Sequence, residues 1–136
     1  MITLSIPSRA DELNRVLDFI NMGLEVFECS VKIWKEISET VESIFLSVAT
    51  YAYPYGEGIV KISLNYIENQ QAIEILFYDE GIPYNPLENI CIPIYSHSGY
   101  QPESSGGVSL LTNCSEKTCY VYLNEKNITT VKKYLV

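Results

Sequence analysis

The twelve residues "YDEGIPYNPLEN", Tyr78 to Asn89, place a carboxylate, a glycine and two prolines directly after a run of alternating apolar positions. That order sets Asp79 at the end of a strand. A carboxylate there has two uses. It caps a turn by accepting from backbone N–H groups, as Asp and Gly commonly do. Otherwise it is held as an acceptor for a ligand's donor, with Gly81 letting the ligand and the backbone come close. A second candidate lies in "SSGGVSLLTN", where Gly106 and Gly107 lead into a short apolar run. Paired glycines there are either a flexible loop end or a place of close backbone approach. Metal chemistry has little to work with. Cys29, Cys91, Cys114 and Cys119 form no CxxC pair, and the one histidine, His97, sits in a polar stretch. A zinc site needs tighter ligand spacing. The cysteines read as free thiols in a reducing cytoplasm, several of them buried, and His97 as a solvated residue.

The elements that must position these residues follow from periodicity. "MITLSI" reads as a first strand. In "PSRADELNRVLDFINMGL", Leu13, Val16, Leu17 and Ile20 recur at helical spacing after Pro7-Ser8. A longer helix runs through "VKIWKEISETVESIFLSVATYAY", with Val31, Trp34, Ile37, Val41, Ile44, Phe45 and Val48 on one stripe, and Pro54 and Gly56 stopping it. The period then falls to two. Val60, Ile62, Leu64 and Tyr66 alternate with polar residues, "ENQQ" turns, and Ile73, Ile75 and Phe77 face one way in "AIEILFYD". Glu80 to Gly107 shows little periodicity and reads as a long loop of the kind that is functional or mobile. "GVSLLTNCS" is expected to open a short helix, and "KTCYVYLNEKNITTVKKYLV" to close the chain as a hairpin turning at "NEKN". No βαβ alternation occurs. The expected architecture is therefore α+β, a two-layer sandwich with helices on one face of a mixed, mostly antiparallel sheet.

The chain has 136 residues, which favours one domain over 1–136. A chain of that length buries roughly 68% of its unfolded surface, enough for a core without staples. No apolar run approaches the ~18 residues of a membrane span. The N-terminus lacks the basic start and long apolar middle of a signal peptide, so a cytoplasmic protein is expected. Nine basic and seventeen acidic side chains give a net charge of −8. That argues against binding a phosphate backbone and is also compatible with plain solubility.

In the order and separation of three boxes, nearly the whole chain resembles the ATP-binding domain of bacterial anti-sigma-factor serine kinases, in the histidine-kinase-like ATPase superfamily. The first box of that family lies on the second helix: a Glu, an Asn four residues later, and an ending His-Ala-Tyr-Pro. Here the ending is Tyr51-Ala52-Tyr53-Pro54, which puts Ser47 at the Asn position and Ser43 at the Glu position, with Glu42 before it. The second box is Asp-x-Gly followed by an aromatic and a proline; Asp79, Gly81, Tyr84 and Pro86 match, and Asn85 replaces the usual Asp. The third is Gly-Gly-Leu-Gly before an apolar helix; Gly106 and Gly107 match, and Ser109 stands at the last glycine. The ending "EKNITTVKKYL" is similar to the family's closing hairpin, with Asn127 as its asparagine.

The resemblance implies a histidine-kinase-like ATPase fold that binds ATP or ADP. Asp79 would accept from the adenine amino group, and glycines entering a helix would offer N–H groups to phosphate. It also implies regulation of transcription through a protein partner, a sigma factor or its antagonist, and a homodimer, with neither direct nucleic-acid nor membrane binding. Chemistry is weakened. In the family the Glu is the base for the acceptor serine and the Asn oxygen holds Mg²⁺. Ser43 does not take a proton as a carboxylate does, and Ser47 is a shorter, poorer Mg²⁺ ligand. Glu42 is one residue out of register, about 100° around the helix. Three readings stand from the residues: a partner-binding regulator with catalysis weak or lost, an active serine kinase, and a structural or dimerising module that binds no nucleotide.

Overall fold

The computed structural model describes residues 1–27, 29–54, 56–89, 107–113 and 116–135. Strand β1 (Ile2–Pro7) leads through a 3-10 turn at Ala10–Glu12 into helix α1 (Leu13–Glu25) and helix α2 (Val31–Tyr51). Strands β2 (Ile59–Ile67) and β3 (Ala72–Asp79) follow, then a 3-10 turn at Pro86–Asn89. Strands β4 (Gly107–Asn113), β5 (Glu116–Leu123) and β6 (Lys126–Tyr134) close the chain. The six strands lie in the order β1-β2-β3-β6-β5-β4, and every pairing among them is antiparallel. The α+β class is as expected from the sequence; the parallel component of a mixed sheet is not found among the described strands.

Both helices owe their place to one apolar stripe. On α1 the buried residues are Val16, Phe19, Ile20, Gly23 and Leu24, the spacing that lines one helical face. On α2 they are Ile37, Thr40, Val41, Ile44, Phe45, Ser47 and Val48. The Ser30 hydroxyl accepts from Ile33 N at 3.2 Å and caps α2 at its start. Gly23 allows α1 to lie close on the sheet, since a Cβ there would meet Ile2 Cδ1 at 3.1 Å and Leu64 Cδ1 at 3.2 Å.

Register decides what the helices cover. It sets Leu4, Ile62, Phe77, Thr129 and Tyr120 in one row across the sheet, and Ile2, Leu64, Ile75, Val131 and Thr118 in the next. Ile62, Leu64, Ile75, Phe77 and Val131 are at most 2% exposed and join the helical stripes in one core. Each such side chain contributes about 1.5–3 kcal/mol by leaving water. The same face carries Asp79 and Asn127 at one end of the strands and Lys133 at the other, where Lys133 Nζ meets Glu36 Oε1 of α2 at 2.6 Å.

One element departs from the reading of the sequence. Gly107 does not lead into a helix; it opens β4, which pairs with β5 from Gly107↔Val121 to Asn113↔Glu116. The competing force is the ladder. An isolated helix of so few residues is marginal, whereas Val108 to Thr112 and Thr118 to Tyr122 are two β-prone runs close enough to pair as a hairpin. Of the cysteines, Cys29 is half-buried and Cys119 is exposed, and both are free thiols. Cys91, Cys114, His97 and Gly106 lie outside the described residues.

Candidate functional site

The ends of β3 and β6 meet beside the last turn of α2. Register sets Asp79 opposite Asn127 and Val60, on the helix-covered face. Asp79 is 4% exposed and Asn127 is 1% exposed. The Asn127 amide nitrogen donates to Asp79 Oδ1 at 2.8 Å and to Ile82 O at 2.8 Å. Its oxygen accepts from Tyr84 N at 3.1 Å and from the Tyr120 hydroxyl. Two N–H donors and two lone pairs are all that an asparagine side chain has, so Asn127 is saturated by the protein itself. Asp79 Oδ1 accepts a further bond from Gly81 N at 2.9 Å, the local turn that Asp-x-Gly favours.

Burial pushes the Asp79 carboxyl above the ordinary carboxylate range, and the bonds from Asn127 and Gly81 pull it partly back. Burial of a carboxylate disfavours its charge, and donors restore some of it.

The turn after Asp79 is clamped to α2. Ile82 N donates to Ala52 O at 2.9 Å, and a Cβ on Gly81 would come within 2.2 Å of that same carbonyl oxygen. Only a glycine lets the two backbones come this close. The Tyr53 hydroxyl ties the same corner together, donating to Ile59 O at 3.0 Å and accepting from Glu80 N at 2.9 Å. Burial raises its pKa, with the Asp79 and Glu80 charges acting the same way.

The first and second boxes do come together. Ser47, 6% exposed, lies 3.1 Å from the Tyr84 hydroxyl and 3.4 Å from Pro86 O, and the Tyr51 and Tyr84 rings meet at a tilt of 33° with centroids 4.8 Å apart. Ser43 is half-buried one turn earlier on α2, and Glu42 is exposed. A helix turns about 100° per residue, which carries Glu42 away from the face that holds Ser47. Asn85 Oδ1 accepts from Leu87 N at 2.9 Å and starts the Pro86–Asn89 turn; its buried amide nitrogen has no partner among the described residues.

An open cleft of about 410 Å³ lies at this corner, walled by Ala52 to Pro54, by Gly81 to Pro83 and by Tyr122, with Glu57 and Glu80 also on its wall. Asp79 is not among the residues that line it. Asp79, Gly81 and the end of α2, read from the sequence as parts of two boxes, are neighbours. Asn127, read as the asparagine of the closing hairpin, bonds Asp79 from 48 residues on, a contact the sequence did not show. The available signal was the inward parity of Asn127, Thr129, Val131 and Lys133 in the closing strand. Gly107 belongs to the β4–β5 ladder and not to a helix start. Among the described residues no cluster of His, Cys, Asp or Glu is arranged to hold a metal ion, and no helix is long and apolar enough to cross a membrane.

Comparison with known proteins returns no matching family model and no curated protein similar enough to count as a relative.

Proposed function

We propose that this chain is a regulatory domain on a kinase-like scaffold that acts by binding a protein partner in the cytoplasm, without phosphoryl transfer. The partner class that the resemblance implies is a sigma factor or its antagonist. The observation that carries this reading is what stands on α2 at the positions that would do the chemistry: Ser47, buried against the Tyr84 hydroxyl and Pro86 O, and Ser43 one turn earlier. They supply no carboxylate base and no amide ligand for Mg²⁺. Asp79 Oδ1 already accepts from Asn127 and Gly81, so a purine amino group would have only Oδ2 left to bond. Gly107, paired to Val121 in a ladder, offers no helix N-terminus to phosphate.

Two measurements test the reading. A nucleotide bound at 100 times its dissociation constant adds about 2.7 kcal/mol of stability, so ATP or ADP with Mg²⁺ is expected to leave the melting temperature unmoved. Titration against sigma factors and their antagonists from the same organism is expected to give saturable binding without nucleotide. Transfer of labelled phosphate from ATP to an antagonist, lost on Asp79→Asn, would instead establish an active kinase.

A further inference from the structure

We propose that the open face of the sheet is a docking surface for an acidic segment of the partner protein, an inference that rests on the partner-binding reading above. Both helices pack on the side that carries Ile62, Ile75 and Val131, and among the described residues no element covers the other side. On that open side register gathers Lys61, Lys117, Lys126 and Lys132, with Glu74 as the one acidic strand residue. The chain has nine basic and seventeen acidic residues. Among the described strand residues, four of the former and a single one of the latter share this face, so a strongly acidic molecule carries one basic stretch of sheet.

The lysines are placed against their own interest. Lys117 and Lys132 are direct cross-strand partners, and like charges so placed destabilise a sheet. Both Nζ atoms sit over one ring, 5.8 and 5.5 Å from the Tyr134 centroid, and Lys61 Nζ is 5.7 Å from that of Tyr78. None of the four lysines takes part in a described ion pair, including Lys132 with its register partner Glu74. Between them lie Leu76, Val121 and Ile128, half-buried. An apolar centre within a charged rim is the anatomy of a protein interface. A partner's carboxylates would pair with the rim and relieve the Lys117–Lys132 repulsion.

Two observations favour an acidic protein over nucleic acid. The tyrosine rings are engaged by the chain's own lysines, which leaves them poor platforms for stacked bases. The remaining surface is acidic and repels a long polyanion that runs beyond the face. A second copy docked face to face would set lysine against lysine.

Fluorescence anisotropy of a labelled oligoglutamate peptide and of an oligothymidylate strand, against the full chain at low salt, tests this. The double variant Lys61→Glu/Lys117→Glu is compared with Lys32→Glu/Lys35→Glu, an equal charge change on α2, all four positions being exposed. Circular dichroism checks folding, and Lys61→Gln/Lys117→Gln serves if the reversal does not fold. The expected result is salt-sensitive peptide binding that weakens about tenfold in the sheet variant and changes less than about twofold in the helix variant. Absence of peptide binding, an equal loss in both variants, or preference for oligothymidylate would each overturn it. A partner that binds the Lys61→Glu/Lys117→Glu chain as well as the original would sink the docking face and leave the partner-binding reading standing.

Discussion

Replacing Asn127 by Ala strips a partner from Asp79, Ile82 O, Tyr84 N and the Tyr120 hydroxyl at a position that is 1% exposed. Each buried polar group left unpaired costs about 1–3 kcal/mol, less where water or relaxation recovers a bond. A total loss of about 4 kcal/mol is expected, read from urea unfolding of the Asn127→Ala chain. Asp79 itself gives a prediction in pH. Its native pKa is raised, chiefly by burial. The native state therefore holds a proton that the unfolded state has released in the window above the unfolded value of about 3.9. This group's contribution is most favourable below that value and is lost as pH rises through the native pKa. The Asp79→Asn chain is expected to lack that fall, so thermal melts across the acid range should run flatter than those of the parent. The acid was legible as a strand-end carboxylate because alternation stops there. Its partner was not, because nothing local ties residue 79 to residue 127; only register does.

At the scale of elements, the two helices and β1, β2, β3, β5 and β6 were legible because each has a long period and a clear stop. The β4 strand was not, since Gly107 to Asn113 is too short for periodicity to separate helix from strand. Pairing with β5 made the choice. The turn between β5 and β6 carries strain of its own: Asn124 has φ 53° and Glu125 has φ 62°. Two left-handed residues are what the twist of a two-residue hairpin demands, and Asn-Gly is the sequence that supplies them best. Glu125→Gly relieves a Cβ clash, against which it adds some entropy to the unfolded chain. A net gain of about 0.5–1 kcal/mol is expected, seen as a higher melting temperature with no change in the sheet's circular dichroism.

At the scale of the whole molecule, a net charge of −8 hid a division of charge between faces that only the folded register exposes. The same holds for Lys133, whose ammonium group is 1% exposed in side-chain terms and lies against Glu36 of α2. Lysine is almost never fully buried unless paired; strand parity put this one inside. Removing one partner of a buried charge costs up to about 3–5 kcal/mol for a fully buried pair. Glu36 is one-third exposed, which lets water stand in, so Glu36→Ala is expected to cost about 1–3 kcal/mol in guanidinium unfolding.

The strand order also bears on how fast the native state is reached. The β2–β3, β4–β5 and β5–β6 contacts close between chain neighbours, while β1–β2 and β3–β6 join distant stretches: Pro7 pairs with Ile59 and Asp79 with Asn127. Bringing points about 50 residues apart together costs about 3 kcal/mol of chain entropy before any bond is made. The β1–β2 and β3–β6 seams are therefore the slow encounters in refolding. Residues along those two seams govern the rate at which the chain matures, and those in the local hairpins govern how long it lasts once mature.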